Sequence, residues 1–253
     1  MGSRASTCRD HRPRREVGRP GGDSQGLCLR ASILELSDTA SDYAGNLAPS
    51  AALGQIRCRQ ILVELLGPFG ADARGWADGL VDEFGSLAAV LAASPDALAR
   101  TLDDDGAVRQ LRAVRAAMLQ ALRTEALTGP VLSDSETLID YLFADMAHLP
   151  TERLRVLFLN AKNRLLRDEV MGEGSISETS IYPREIMRRA LEVGATALIL
   201  AHNHPSGDPK PSRVDVEATY RVVEAGRPFD IRVHDHVIIA RSGWSSFRVL
   251  GLI

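Results

Sequence analysis

The sequence predicts an α/β protein, in which helices cover a mixed β-sheet and a small all-α module precedes the sheet. Two patterns support this prediction. Up to about residue 128, apolar residues recur every three or four positions, which is the period of an amphipathic helix. From about residue 131, short runs of branched and aromatic residues alternate with helical segments. A length of 253 residues accommodates one such domain and a smaller partner.

The first 45 residues are predicted to be a disordered, Arg-rich tail. Residues 1–30 contain seven Arg against three acidic residues, and this stretch is rich in Gly, Ser and Pro. It has too few large apolar side chains to offset the entropy that is lost on ordering. We therefore predict that the folded part begins at about residue 46.

Composition argues against several classes of protein. Hydrophobic residues make up 45% and charged residues 25% of the chain, close to the globular average, which argues against a disordered or fibrous protein. The three Cys are an odd number and all lie in the first quarter of the chain, so no disulfide framework is indicated. No apolar run approaches the roughly 20 residues that cross a bilayer, and an apolar signal core is missing. We expect a cytoplasmic protein that does not bind membranes.

Residues 46–128 are predicted to form a module of four or five short helices. Gly67-Pro68 ends the first helix, and Pro95 lies in the first turn of a later one, where proline is tolerated. The predicted helices cover 56–66, 76–84, 87–91, a segment that starts at Ser94 and carries Leu98 and Leu102 on one face, and 108–122.

Residues 131–253 are predicted to form the α/β domain. Ser133-x-x-Glu136 has the pattern of a capping box and predicts the start of a linking helix. The elements predicted after it are a hairpin of strands 154–159 and 165–171, a helix 183–193, a strand 196–201, a helix 212–225, a strand 232–240 and a last strand at 247–250.

The residues with the clearest chemistry follow one predicted apolar strand. His202 and His204 are two positions apart, so their imidazoles point to the same side, and Asn203 points to the other. After a Pro-rich loop, Ser212 begins a helix whose first turn carries Asp215. Two imidazoles and one carboxylate are three protein ligands for Zn²⁺, and a fourth position left to water is typical of a catalytic zinc site.

Two other interpretations of these residues stay open. Ser212-x-x-Asp215 is also an ordinary helix cap, with the carboxylate at the positive end of the helix dipole. A second pair of imidazoles, His234 and His236, lies in the next predicted strand, and spacing alone does not decide between the two pairs. The second pair lacks a rigid turn followed by a helix-borne carboxylate, so we treat it as the minor alternative.

The same residues carry a resemblance to a known family. His202-x-His204-Pro205, six residues, Ser212-x-x-Asp215 resembles the JAMM motif of MPN zinc metalloproteases. The fuller run His-Asn-His-Pro-Ser-Gly-Asp-Pro-x-Pro-Ser-x-x-Asp resembles the bacterial RadC family. The runs at 156–160, 182–186 and 235–239 are also similar to runs at the corresponding places in RadC-like chains. The resemblance extends from Asp134 to the C-terminus and, more weakly, over the helical module.

The resemblance implies an MPN/JAB-like (cytidine-deaminase-like) fold for residues 131–253 and a helix-hairpin-helix-like module for residues 46–128. It implies a zinc-dependent metallohydrolase that cleaves a peptide or isopeptide-like amide with a zinc-activated water. His202, His204 and Asp215 are then the metal ligands, and the substrate is an unidentified protein or peptide.

The resemblance also gives roles to residues outside the ligand set. Glu152 stands at the position of the general base, and Ser212 at the position that stabilises the oxyanion. Sequence alone does not choose Glu152 over Glu169 or Glu173. Asp235 or His236 is expected to orient one of the zinc ligands.

Two features restrict the choice of partner. Helical modules of the resembled family usually carry a Gly-x-Gly hairpin that meets a DNA phosphate, whereas this chain has three Asp at 103–105, and the net charge of the whole chain is −3. Asn203 stands where eukaryotic deubiquitinating members carry Ser or Thr, so a ubiquitin-like substrate is not assumed. The alternatives are a DNA repair or recombination accessory protein that binds nucleic acid, and a zinc-binding scaffold without catalysis.

Overall fold

A computed structural model of the chain describes residues 47–131, 135–174 and 181–253. The predicted tail of residues 1–45 and the capping residue Ser133 lie outside the described residues. The domain limits given above remain predictions. In the described part of the chain, no helix combines the length and the apolar character that crossing a bilayer requires.

The first described segment is helical, as predicted. It contains α1 (Leu47–Leu66), α2 (Ala73–Phe84), α3 (Leu87–Ala92), α4 (Pro95–Leu98) and α5 (Asp105–Leu127). A short polar residue precedes each of α2 to α5, and its side chain accepts a hydrogen bond from a backbone N–H of the first turn, which fixes where the helix begins. These capping residues are Asp72, Ser86, Ser94 and Asp104.

One detail of the helical prediction is wrong. We expected Leu98 and Leu102 on one face of a helix, but α4 ends at Leu98. Leu102 follows in a turn and is still buried, because both leucines contribute to the same apolar cluster as Leu62, Leu80 and Leu111. The spacing of the two leucines therefore indicates that both are buried, but not that one helix carries both.

The α/β part contains a five-stranded mixed sheet, which confirms the predicted fold class. Its elements are α6 (Ser135–Met146), β1 (Arg153–Leu159), β2 (Leu165–Glu173), α7 (Pro183–Val193), β3 (Ala197–His204), α8 (Arg213–Gly226), β4 (Arg232–Ala240) and β5 (Gly243–Ser246). The strand order is β2-β1-β3-β4-β5. Among the described strands β3 and β4 alone run parallel, and α8 connects them.

Helices cover both faces of the sheet, so alternate residues of each strand enter different apolar clusters. Leu157 and Ile199 pack with residues of α6, whereas Val156 and Leu198 pack with residues of α7 and α8. The candidate site lies at the end of β3, on the face that α7 and α8 cover.

The prediction of a last strand at 247–250 is wrong. The last strand is β5, four residues earlier, because a tight turn after Ala240 returns the chain at once and pairs Ala240 with Gly243. Residues 247–250 form a turn, in which Leu250 N–H donates to the carbonyl of Ser246. Phe247 is fully buried against the ring of His236, and the two ring centroids are 4.7 Å apart. Its apolar side chain therefore indicates burial and not a strand.

A cluster of charged residues links α5 and α6 to the sheet face opposite the candidate site. The Arg155 guanidinium on β1 donates to Asp145 of α6 at 2.6 Å and to Asp168 of β2 at 2.7 Å. Arg123 of α5 also contacts Asp168, and Tyr141 donates its hydroxyl to the same carboxylate at 2.7 Å. Burial and the charge of Asp168 raise the pKa of Tyr141, so the phenol keeps its proton. We call these residues the arginine cluster.

Candidate metal centre

The three predicted ligand side chains converge. His202 Nε2 lies 2.9 Å from His204 Nε2 and 3.3 Å from Asp215 Oδ1. The third distance, from His204 Nε2 to Asp215 Oδ2, is 3.4 Å. All three residues are buried or half-buried. The end of β3 and the first turn of α8 therefore bring two imidazoles and one carboxylate to a single point.

The helix cap and the convergence use the same two residues. Ser212 Oγ accepts a hydrogen bond from the Asp215 N–H at 3.1 Å, and Asp215 Oδ2 accepts one from the Ser212 N–H at 2.7 Å. This capping box holds the carboxylate at the helix start, facing the imidazoles. The two interpretations of Ser212-x-x-Asp215 are thus compatible. Because Ser212 Oγ uses a lone pair for the cap, its hydroxyl hydrogen can still be donated.

The protonation of His204 follows from its second ring nitrogen. His204 Nδ1 lies 2.8 Å from the carbonyl oxygen of Asp208. A carbonyl only accepts hydrogen bonds, so Nδ1 carries the hydrogen in the neutral ring and Nε2 keeps its lone pair. The lone pair of His204 therefore points toward His202 and Asp215.

A chain of three hydrogen bonds fixes the tautomer of His202 in the same way. The Thr219 hydroxyl donates to the carbonyl of Asp215 at 2.6 Å, so it must accept from His236 Nδ1, also at 2.6 Å. His236 Nε2 is then an acceptor, and it receives the hydrogen of His202 Nδ1 at 2.8 Å. His202 Nε2 is left with its lone pair. His236 is fully buried, and burial lowers its pKa, which keeps it neutral in this chain.

Of the two residues expected to orient a ligand, only His236 contacts one. Asp235 faces the other way, where its carboxylate accepts from the Ser246 hydroxyl at 2.6 Å and from the Arg248 N–H at 3.1 Å. The expectation for Asp235 is wrong, because successive residues of a strand point to opposite faces.

The second imidazole pair does not form. His234 Nε2 lies 2.9 Å from Asn163 Oδ1, at the turn between β1 and β2, whereas His236 turns to His202. The β3–β4 pairing contains a register shift at this point. As a result Val233 packs with the cluster under α7 and α8, while Val237, four residues on, packs with the cluster under α6. Side chains of a regular strand alternate between its two faces, which would place His234 and His236 on the same face. The register shift interrupts this alternation between the two histidines.

Strand register brings Glu152 to the site. The last pair of the antiparallel β1–β3 ladder is Leu154 with His202, and continuing this register puts Glu152, the residue before β1, opposite His204. In agreement, the charge of Glu152 acts on the His204 imidazole. The alternatives belong to ion pairs elsewhere: Glu169 with Arg189 at 2.8 Å and Glu173 with Arg153 at 2.7 Å.

The charges of the site act on one another. Against the effect of burial, the contact with Asp215 raises the pKa of His204, and the Asp208 carbonyl and the charges of Asp215 and Glu152 add to this. Burial alone would raise the pKa of Asp215, but its contacts with His202 and His204 hold that pKa far below its usual range. The site therefore attracts a cation, either a proton or a metal.

The donor set fits zinc. Tetrahedral zinc with bonds of about 2.0–2.1 Å separates neighbouring ligand atoms by about 3.3 Å. The two contacts of Asp215, Oδ1 with His202 Nε2 at 3.3 Å and Oδ2 with His204 Nε2 at 3.4 Å, are close to that value, and one ligand atom from each of the three residues lies within 4.8 Å of the others. Nitrogen and carboxylate donors suit zinc, and with three protein ligands a fourth position is left to water. In the neutral tautomers two lone pairs and one anion face each other, and a divalent cation between them removes their repulsion.

Sequence reasoning missed Thr219 and the carbonyl of Asp208, which fix the two tautomers. Thr219 stands four residues after Asp215 and so lies on the same helix face, a spacing that makes it a neighbour of the ligand. The carbonyl carries no sequence signal, since every residue has one.

Comparison with known proteins relates the chain to a described family. A family model described as a RadC-like JAB domain matches residues 132–252. A UPF0758 protein of Rhodobacter capsulatus is 43% identical over 183 residues, which make up 72% of this chain and 86% of that protein.

Proposed function

The chain belongs to the RadC (UPF0758) family and contains its JAB/MPN-like domain, and on that premise we propose that it is a JAMM-type zinc metallohydrolase that cleaves a peptide or isopeptide-like amide. One observation carries the proposal. The hydrogen bonds of His202 and His204 leave both Nε2 lone pairs directed at Asp215, and the charge of the general-base candidate Glu152 acts on the same His204 imidazole.

The residues of the chain have separate roles in this reaction. His202, His204 and Asp215 would hold zinc, which supplies a Lewis acid and lowers the pKa of a bound water. Glu152 accepts a proton from the attacking water and returns it to the nitrogen of the leaving amine. Ser212 donates its hydroxyl hydrogen to the oxygen on which negative charge develops.

The charge balance supports a divalent cation. The histidines are neutral ligands, so the negative charges at the site are those of Asp215 and of Glu152, both of which act on His204, and a doubly positive ion compensates them. The low pKa of Asp215 keeps its carboxylate ionised throughout the physiological range. The hydrogen bonds that the ligand imidazoles donate to the Asp208 carbonyl and to His236 Nε2 are the kind of outer contact that zinc-binding histidines usually have.

The proposal is tested with the full chain loaded with one equivalent of zinc. It is incubated with a mixed library of peptides and isopeptide-linked peptides, and products are detected by mass spectrometry. We expect cleavage at amide bonds by the wild type and none by Glu152→Gln, with zinc retained in both. Glu169→Gln is the matched control, since it removes a carboxylate from β2 and should leave cleavage unchanged.

Two outcomes would contradict the proposal. A zinc-loaded wild type that cleaves no member of the library would favour the scaffold without catalysis. Cleavage that persists in Glu152→Gln would mean that another group accepts the proton.

Nucleic-acid binding gains no support from the described residues. Asp104 caps α5, and Asp103 and Asp105 are exposed beside it, so this end of the helical part presents like charge to a phosphate. The Arg-rich residues 1–30 lie outside the described residues.

A further inference from the structure

Asn203 stands between the two ligand histidines, and its side chain points away from them. It is fully buried, with 0% of its surface exposed. Its Oδ1 accepts a hydrogen bond from the Arg153 N–H at 2.9 Å, and its Nδ2 donates to the carbonyl of Thr151 at 3.0 Å. Both groups of the carboxamide are therefore used, and both contact the backbone on either side of Glu152.

These two hydrogen bonds take the place of a missing residue pair in the ladder between β1 and β3. The β1–β3 ladder ends at Leu154 and His202, one residue before Arg153 and Asn203 would pair. The Asn203 carboxamide supplies one acceptor and one donor to the β1 side, as a paired strand would. On the other side of the same segment, the Gly174 N–H donates to the carbonyl of Glu152 at 2.9 Å. The peptide that carries Glu152 is thus held from both sides.

We propose that Asn203 is a positioning residue, whose carboxamide fixes the backbone around Glu152 so that this carboxylate faces the ligand histidines. The inference rests on the proposed function, because it takes Glu152 as the general base. Since His202, Asn203 and His204 are consecutive, one strand end sets both the metal ligands and the segment that carries the base.

The chemistry of the clamp requires a carboxamide. Aspartate at 203 keeps an acceptor for the Arg153 N–H but turns an oxygen toward the Thr151 carbonyl, where a donor is needed. Serine has one short hydroxyl, which does not reach both backbone groups. Asn203→Ser therefore removes the clamp, while Asn203→Asp removes half of it and buries a charge.

The test combines amide hydrogen exchange with a metal spectrum. In the metal-free full chain, Asn203→Ser is expected to exchange the Arg153 amide at least about five-fold faster, since one stabilising hydrogen bond is lost. With Co²⁺ bound in place of zinc, the visible spectrum of Asn203→Ser should change in the same way as that of Glu152→Gln. The double variant should show no further change, because both substitutions act on the same carboxylate, which lies beside the metal site without being a ligand.

A matched control is Asn160→Ser. The Asn160 side chain accepts from the N–H groups of Lys162 and Arg164 in the β1–β2 turn, so it also ties down backbone, at the other end of β1. We expect its Co²⁺ spectrum to equal that of the wild type. If Asn203→Ser does not fold, Asn203→Asp is measured in its place, with the same comparison to Glu152→Gln.

Three results would overturn the positioning role: unchanged exchange of the Arg153 amide, a wild-type Co²⁺ spectrum in Asn203→Ser, or additive spectral changes in the double variant. Failure of the proposed function is distinguishable from these. In that case the wild type itself binds no Co²⁺, or binds it with a spectrum that Glu152→Gln does not alter.

Discussion

The sheet carries a buried polar cluster on each face, and the two clusters differ in how their groups are paired. In the arginine cluster every contact joins a donor to an acceptor: Arg155 to Asp145 and Asp168, and Tyr141 to Asp168. At the candidate metal centre the groups that meet are acceptors in the neutral state. The imidazoles of His202 and His204 direct lone pairs at the Asp215 carboxylate.

The comparison shows that complementarity, rather than burial, separates a structural cluster from a binding site. Buried polar groups stabilise a protein only when their hydrogen bonds are satisfied. In the arginine cluster the terminal guanidinium nitrogens of Arg155 are paired with carboxylates, and although its buried Nε–H has no acceptor, no group of acceptors is left facing one another. The metal centre is completed by a proton or a divalent cation, and the hydrogen bonds that its imidazoles donate to His236 and to the Asp208 carbonyl leave their other nitrogens free for the metal.

The largest expected effect breaks the arginine cluster. Arg155→Met should lower the free energy of unfolding by about 3–5 kcal/mol, because it leaves the buried carboxylates of Asp145 and Asp168 without their main cation. Urea unfolding of the metal-free chain measures this loss. The folded fraction should still bind one zinc. If Arg155→Met lost its zinc and kept its stability, the structural role given to the arginine cluster would be wrong.

An exposed ion pair is the control for that variant. The Arg213 side chain is 90% exposed and pairs with Glu217 in the first turns of α8. Arg213→Met should change the free energy of unfolding by at most about 0.5 kcal/mol, as surface pairs usually do.

The next effect concerns the tautomer of His202. Thr219→Val removes the hydroxyl that accepts from His236 Nδ1, so the histidine chain no longer requires a lone pair at His202 Nε2. We expect zinc affinity to fall about 10–100-fold, the usual cost of losing an outer contact of a zinc ligand. Competition with a chromophoric chelator measures it. Thr219→Ser retains the hydroxyl and should bind like the wild type; equal loss in both variants would rule out the tautomer chain.

A smaller effect is the pH dependence of zinc binding. Zinc requires neutral His204, whose pKa in the metal-free chain is raised above 6.5 by Asp215. Affinity should therefore fall about ten-fold per pH unit below that raised pKa, beginning at higher pH than for an ordinary histidine. Asp215 stays ionised and His236 stays neutral over this range, so neither adds to the slope. Constant affinity from pH 8 to pH 5.5 would contradict zinc binding by His204, and a fall that begins only at the pH of an ordinary histidine would contradict its contact with Asp215.

The smallest expected effect concerns the helix cap. Ser212→Ala should lower the stability of the metal-free chain by about 1 kcal/mol, because the N–H of Asp215 loses its acceptor. Ser212→Thr keeps an acceptor and should restore most of it. Thermal unfolding of the two variants measures the difference. A stability that Ser212→Ala leaves unchanged would show that the capping box does not hold Asp215.

The parts of the molecule that local pattern determines were predictable, and the parts that depend on register were not. The spacing of His202 and His204 and the cap of Ser212 are local, so the sequence alone predicts where they point. The register shift in β4 separates His234 from His236, and no residue type announces it. The position of Glu152 near His204 depends on the pairing of β1 with β3, which joins residues some 50 positions apart in the sequence, so no local pattern predicts it.

The most direct test of the metal centre is the zinc content of the purified full chain and of two histidine variants. A metal centre at His202, His204 and Asp215 predicts one zinc per chain in the wild type and in His234→Ala, and none in His204→Ala. A wild type without stoichiometric zinc, or zinc that survives in His204→Ala and disappears in His234→Ala, would contradict it.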